Sequence, residues 1–236
     1  MNAVILGAGT MGKVLKSFIE ETEGINCVGM IEPLKGEKLT DASEPVDVII
    51  DFSHPENLKM MEDYTKENDC ALVIASTGFS QDEVKRIENI SQRVPVVFTA
   101  NYSLGITVMK KVSTELSKIL SDSFDIEIIE KHHNKKLDSP SGTAKMLAAA
   151  INPDGAFPQI YGREGNQKRG KEIGIHAVRG GTIAGEHTVI FAGPDEIIEL
   201  THIAHSKKIF AAGAVKAAKF ACGKEAGLYD MNDVLF

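Results

Sequence analysis

The sequence predicts an α/β chain built on a doubly wound parallel sheet, and three observations carry that prediction. Short apolar runs rich in Val and Ile alternate with amphipathic segments over residues 1–100, the rhythm of βαβ units. The runs are mostly continuous rather than alternating, as in strands covered on both faces. A glycine-rich turn joins the first run to the first amphipathic segment.

In chain order, strands are expected at residues 3–6, 27–31, 46–52, 71–75 and 94–98. The helix expected at 11–21 places Val14, Leu15, Phe18 and Ile19 on one face. A second, at 56–67, follows Pro55, and a third, at 81–90, follows Ser80 as N-cap. After Asn101 the rhythm changes: a long amphipathic helix at 106–120 leads into 124–130, and 141–151 reads as another helix. Residues 173–178, 187–191 and 197–203 alternate apolar with polar, which predicts an antiparallel sheet with one solvated face. A last helix, 207–222, returns to the composition of the parallel-sheet region. Residues 152–171, rich in Gly, Pro, Lys and Arg, read as a mobile loop.

With 236 residues, 43% hydrophobic and 25% charged, the chain can bury the core of one large domain or two small ones. A net charge of −7 argues against broad binding to nucleic acid or an anionic membrane. Cys27, Cys70 and Cys222 lie far apart, without the spacing of a disulfide framework or zinc knuckle, and read as reduced thiols. With no basic, apolar leader and no apolar run of membrane-spanning length, the expectation is a cytoplasmic protein.

The glycine-rich turn is Gly7-Ala8-Gly9-Thr10-Met11-Gly12, between the first predicted strand and helix, and Glu32 ends the next strand twenty residues later. In that context Gly7 permits the turn, Gly9 lets backbone approach a pyrophosphate, and Gly12 lets helix and strand pack closely. The helix N-terminus offers free N–H groups to the phosphates. Glu32 is expected to accept hydrogen bonds from the adenosine ribose. With Pro33 standing where an arginine often holds a 2′-phosphate, NADH is favoured over NADPH, although Lys35 can still reach a phosphate. Two further loops, Ala75-Ser76-Thr77-Gly78-Phe79 and Thr99-Ala100-Asn101-Tyr102-Ser103, end predicted strands. Each is either a plain βα turn or a lining for the nicotinamide end.

Residues 130–144, EKHHNKKLDSPSGTA, concentrate positive charge in an acidic chain. In extended backbone His132 and His133 point to opposite faces and cannot grip one metal, and Lys131, Lys135 and Lys136 would repel it. No metal site is expected. The lysines point to an anion. Pro140 and Ser141 read as a helix start, where Ser141, Gly142 and Thr143 can hold a carboxylate. With Lys136 they suit a small dicarboxylate, and a histidine is the side chain best placed to move a proton near neutral pH. The alternative is a solvated basic loop whose histidines serve packing.

Glu127, Ile128, Glu130, His132, Lys136, Asp138, Pro140, Ser141, Gly142, Thr143 and Ala144 resemble, without departure, the signature of bacterial 4-hydroxy-tetrahydrodipicolinate reductases. The resemblance runs on through the glycine motif, the STGF and ANYS loops, VRGGTIAGEHTVIF and GLYDMNDVL. It implies a Rossmann-type dinucleotide-binding domain at 1–102, an inserted α+β substrate and tetramerisation domain at 103–210, and a return to the first domain at 211–236. It also implies a homotetramer built through the substrate-domain sheets. The implied activity is NAD(P)H-dependent reduction of 4-hydroxy-tetrahydrodipicolinate to tetrahydrodipicolinate, in diaminopimelate and lysine biosynthesis. His132 would then donate or accept a proton, and Lys136 would be a second donor that also contacts substrate. His133 would bind substrate, Gly142 and Thr143 would hold a carboxylate, and domain closure would hinge near Ser103 and Phe210. Gly7 to Gly12, Glu32, Ala75 to Thr77 and Thr99 to Tyr102 would contact the nucleotide. The chain departs from the family's common pattern at Pro33, in ASTG where GTTG is usual, and in a short segment between Glu32 and Val46. Two rivals are a nicotinamide enzyme acting on an amino-acid semialdehyde, which gives no reason for HxxxKxDxPSGTA, and a non-catalytic NADH-sensing regulator, against which the absence of a basic DNA-binding segment counts.

Overall fold

A computed structural model describes the whole chain, Met1–Phe236, which divides into two compact units: Met1–Leu104 with Lys207–Phe236, and Gly105–Ser206. The first unit opens with β1 (Asn2–Leu6), α1 (Thr10–Glu20), β2 (Asn26–Ile31), β3 (Val48–Asp51), α2 (Leu58–Glu67), β4 (Ala71–Ile74), α3 (Gln81–Ser91) and β5 (Pro95–Phe98). The helix expected from residue 56 begins as a 3₁₀ turn, Pro55–Asn57, and becomes α-helical only at Leu58. Ser80 caps α3 as expected, in a capping box with Glu83.

The second unit comprises α4 (Leu104–Leu120, entering at Gly105), β6 (Asp125–His132), α5 (Gly142–Ile151), β7 (Gln159–Tyr161), β8 (Ile173–Arg179), β9 (Gly185–Gly193) and β10 (Glu196–Ala204). Its sheet order is β10-β9-β6-β8-β7. The expectation of an antiparallel sheet is corrected here: β10 and β9, and β9 and β6, pair antiparallel, but β6 with β8 and β8 with β7 pair parallel. Alternation of side chains reports which face is buried and is blind to strand direction. The segment between β6 and β8, containing α5, is long enough for the crossover that a parallel pair requires. Residues 152–171, read as a mobile loop, contain β7, and two of their arginines are tied to β6. Arg163 Nη2 lies 2.7 Å and Arg169 Nε 3.1 Å from Glu127 Oε1.

The inward row of this sheet positions the chemistry. Ile126 and Ile128 on β6, Ile173 and Ile175 on β8, and Val189 and Phe191 on β9 pack in one core with Ile106 and Met109 of α4 and Leu147, Ala148 and Ile151 of α5. With a side-chain period of two, Glu130 and His132 continue that same row on β6, and His187 continues it on β9.

The chain then returns to the first unit with α6 (Lys208–Ala221), β11 (Gly227–Tyr229) and α7 (Met231–Leu235). Its six-stranded sheet, in the order β11-β5-β4-β3-β1-β2, is parallel throughout. Alternate residues of the strands feed two cores. Ala3, Ile5, Val48, Ile50, Ala71 and Val73 meet α1 and α6. Val4, Leu6, Ile49, Leu72 and Ile74 meet α2 and α3. Burying each of these Val, Leu and Ile side chains contributes roughly 1.5–3 kcal/mol. Ala211, Ala214, Ala217, Ala218 and Ala221 give α6 a low surface that seats it against the sheet, and a Cβ at Gly213 would stand 1.7 Å from the Tyr102 carbonyl oxygen.

Candidate active site

In the first unit the glycine motif makes the tight turn and the close helix packing that its spacing predicts, and leaves Gly9 uncrowded. Gly7 has φ +98°, and a Cβ there would lie 2.7 Å from Ser53 Cβ. At Gly12 a Cβ would stand 1.9 Å from the Gly7 carbonyl oxygen, so only glycine lets α1 approach its own turn. Nothing lies within 4 Å of a Cβ built on Gly9. Gly9 is also the N-cap of α1, with no side-chain cap bonded to the helix. The first-turn N–H groups therefore carry no capping side chain and start beside an uncrowded Gly9, an arrangement fit for a phosphate. Thr10, exposed, and Met11, partly buried, begin the helix.

Glu32 follows β2 and forms an ion pair with Lys35, and its backbone N–H donates to Glu37 Oε2 at 2.7 Å. The two candidate loops end β4 and β5, but not all of their side chains face outward. Ser76 is buried and donates to Asp51 Oδ2 at 2.5 Å, and it accepts from the Ser53 N–H at 3.1 Å. Ser53 Oγ donates to the same carboxylate. Burial raises the pKa of Asp51 despite those donors. Tyr102 lies in the core, where its hydroxyl reaches the carbonyls of Ile74 and Val97 at 3.0 and 2.8 Å and ties the ends of β4 and β5 together. Ala75 is partly buried, Thr77 and Ala100 are exposed, and Thr99 Oγ1 accepts from the Asn101 N–H at 3.4 Å.

In the second unit, residues that sequence reasoning left without a role organise those it singled out. Glu130 is fully buried. Its Oε1 accepts from the Ser141 N–H at 2.9 Å and from Arg179 Nη2 at 2.7 Å, and its Oε2 from Arg179 Nη1 at 2.8 Å, with His132 Nδ1 at 2.6 Å. Burial alone would raise the Glu130 pKa, but Arg179, His132 and the Ser141 N–H outweigh it and hold the pKa below the ordinary value. The register accounts for the meeting: His132 pairs with Arg179 across β6 and β8, and Glu130 with His187 across β6 and β9. The His187 ring lies edge-on to His132, with centroids 5.1 Å apart, and its Nε2 is 3.1 Å from Ser141 Oγ. Burial, then the neighbouring His132, lowers the His187 pKa to about 4, so it is neutral at pH 7.

Ser141 caps α5, accepting from the Ala144 N–H at 3.2 Å. Gly142 is exposed with open space around it, and Thr143 is partly buried in the first turn. Lys136 Nζ sits 2.7 Å from Asp138 Oδ1, an ion pair that, foremost among the causes, lowers the Asp138 pKa. The Gly142 N–H adds to that lowering. A carboxylate of the chain itself thus engages Lys136, one of the groups expected to receive a substrate carboxylate. His133 keeps a buried Nδ1 without a partner. No cluster of three or more His, Cys, Asp or Glu side chains is arranged to hold a metal ion.

The comparisons with known proteins cover both units. The family profile "Dihydrodipicolinate reductase, N-terminus" matches residues 1–102, and "Dihydrodipicolinate reductase, C-terminus" matches residues 105–235. The 4-hydroxy-tetrahydrodipicolinate reductase of Clostridium novyi (strain NT) is 43% identical, over 100% of this chain and 98% of its own. That of Brachyspira hyodysenteriae is 44% identical over 100% of both. In fold, a dipicolinate-bound dihydrodipicolinate reductase from Paenisporosarcina sp. TG-14 superposes with a TM-score of 0.80 at 22% identity, covering 100% of this chain and 99% of its own. Full-length relatedness above 40% and two adjoining profile matches place the chain in the 4-hydroxy-tetrahydrodipicolinate reductase family.

Proposed function

We infer that this chain reduces 4-hydroxy-tetrahydrodipicolinate to tetrahydrodipicolinate with a reduced pyridine nucleotide, in diaminopimelate and lysine biosynthesis. The observation that carries the reading is the site at the end of the inward row of the second unit. There a histidine hydrogen-bonded to a buried carboxylate stands in one motif with a lysine and an uncrowded helix N-terminus. A non-catalytic nucleotide sensor has no use for such an apparatus.

Gly7 to Gly12 and the first turn of α1 would hold the cofactor pyrophosphate, and Glu32 the adenosine ribose. Ala75, Thr77 and the backbone of Thr99 to Asn101 would line the nicotinamide end. Ser76 and Tyr102 would serve there by shaping the loops through their buried hydroxyl bonds. When bound, the nicotinamide supplies a hydride, and the substrate loses its 4-hydroxyl as water. The residues of the second unit have three tasks. Lys136, Ser141, Gly142 and Thr143 hold a carboxylate, and His133 binds the substrate. Lys136 must exchange Asp138 for substrate, keeping its charge paired before and after. His132 delivers the proton that quenches the electron density left in the ring, with Lys136 as second donor.

We further propose a preference for NADH, because the Glu32 carboxylate suits ribose hydroxyls and opposes a 2′-phosphate, while Lys35 balances part of that charge. The protein would act in the cytoplasm as a homotetramer. No helix is long and apolar enough to cross a membrane, and Val178, Ile197 and Ile203 expose apolar surface on the second sheet.

The test is a coupled assay in which dihydrodipicolinate synthase supplies the substrate and nicotinamide absorbance is followed with NADH and with NADPH. Oxidation of either cofactor that depends on the synthase product is expected. Oxidation that follows aspartate semialdehyde alone would transfer the chain to another dehydrogenase activity, and nucleotide binding without turnover would make it a sensor.

A further inference from the structure

We propose that Glu130 is the positioning residue of the proton-transfer step, fixing His132 in its Nδ1–H form so that Nε2 is the atom that exchanges a proton with substrate. The proposal rests on His132 being the acid–base residue.

Four donors converge on this one carboxylate: the Ser141 N–H and Arg179 Nη2 on Oε1, and Arg179 Nη1 and His132 Nδ1 on Oε2. An ionised carboxylate accepts only, so at 2.6 Å the hydrogen between the two groups belongs to His132 Nδ1. A neutral imidazole carries one N–H, which leaves the lone pair on Nε2. In the protonated ring the second hydrogen is on Nε2, and that is the proton on offer. Gly185 keeps the space beside that nitrogen open, since a Cβ there would come within 3.1 Å of Nε2.

Arg179 keeps the carboxylate from acting as a base itself. Its fork engages both oxygens, and one arm also donates to the Asp138 carbonyl oxygen at 2.7 Å, tying the loop that carries Lys136 to the same point. The remaining titratable groups around His132 are His187 from β9, at 5.1 Å between ring centroids, and the Lys136–Asp138 pair from the following loop. None of these bonds Nδ1. Glu130 alone sets the tautomer.

Glu130→Gln tests the logic because it keeps the shape and changes one acceptor into a donor. The new NH₂ group must face either the Ser141 N–H and one arm of Arg179, or His132 and the other arm. The backbone N–H and the guanidinium cannot become acceptors, but the imidazole can, by moving its hydrogen to Nε2. Nitrogen chemical shifts of ¹⁵N-histidine-labelled protein read that choice directly. The wild type is expected to show His132 protonated at Nδ1 when neutral, and the variant at Nε2. The variant's kcat at pH 7 is expected to fall about 100-fold with little change in substrate KM, and the limb of its kcat profile that requires the protonated acid should move to lower pH. Calorimetric NADH affinity should stay within about twofold, the cofactor residues lying on the first unit. A wild-type spectrum with the neutral hydrogen on Nε2 overturns the proposal without any variant. So does a Glu130→Gln enzyme that retains the Nδ1–H form and near-native kcat. The tautomer is read without turnover, so a wild type that fails to reduce the substrate sinks the functional reading and still leaves this measurement to judge the role of Glu130.

Discussion

Among single residues, the proposed roles of the second-unit site differ from one side chain to the next, and kinetics can separate them. His132→Gln keeps polarity but removes a side chain able to move a proton near pH 7, so kcat is expected to fall roughly 100-fold or more with KM little changed. Lys136→Met keeps the aliphatic stem and removes the charge. It should lower kcat and raise KM together, because in the proposed mechanism one ammonium both holds a carboxylate and donates a proton, and it leaves Asp138 without its partner at 2.7 Å. Near-native kcat in His132→Gln would show that the donor is misassigned. At the other site, Pro33→Arg places a guanidinium beside Glu32, where it can fork to a 2′-phosphate, and should shift preference toward NADPH. An unchanged NADH to NADPH ratio of dissociation constants would mean that the phosphate is held elsewhere, with Lys35 the nearest candidate. His132, Lys136 and Ser141 could be singled out as candidates from the sequence because their types and spacing are local. Glu130, Arg179 and His187 acquired no role from the sequence because theirs depends on register: Arg179 meets His132 only when β6 and β8 pair, and His187 meets Glu130 only when β9 does.

For whole elements, the two kinds of glycine in the first unit make opposite predictions. Gly213 lies on the buried face of α6 against the Tyr102 carbonyl, where a Cβ would come to 1.7 Å from the oxygen. Gly213→Ala must push the helix off the sheet, with a cost of about 1–3 kcal/mol read as a lower denaturation midpoint. Gly9, the N-cap of α1, has open space where its Cβ would be. Gly9→Ala should therefore change the midpoint little but weaken NADH binding about tenfold by obstructing the approach of the pyrophosphate to the helix N-terminus. Equal loss of stability in both variants would refute the division. The elements that sequence patterning found are those with enough residues to carry a period. β1, β3, β4 and β5 announce themselves as buried apolar runs, whereas β11, three residues ending in Leu228 and Tyr229, and the five-residue α7 are too short to show one. Strand direction in the second sheet lay outside the reach of any pattern, since parallel and antiparallel partners bury the same alternate residues.

Across the whole molecule, the response to pH is set by groups whose folded environment disfavours one charge state. A net charge of −7 says little here, because most of the charged side chains are solvated. His187 matters more. Its folded pKa is about 4 against an ordinary 6.5, so between those values the unfolded chain binds a proton that the folded chain refuses. Stability is therefore lost as pH falls through that window, by up to about 3 kcal/mol from this one side chain. Glu127, Glu130 and Asp138 have lowered folded pKa values, so their contributions are present above the ordinary carboxylate range and disappear only below it. Asp51 has the opposite sign: its raised folded pKa returns some stability as pH falls toward the carboxylate range. The upper part of the window, from pH 6.5 downward, thus belongs to His187 and to His202, whose pKa burial also lowers. His187→Gln keeps a polar partner for Ser141 Oγ and cannot titrate, so its midpoint in urea should decline distinctly less there than that of the wild type, with His202 accounting for the remainder. The comparison requires only denaturation curves of the two proteins at several pH values. Parallel declines would show that His187 is solvated enough in the fold to accept its proton, and that acid weakens the protein through other groups.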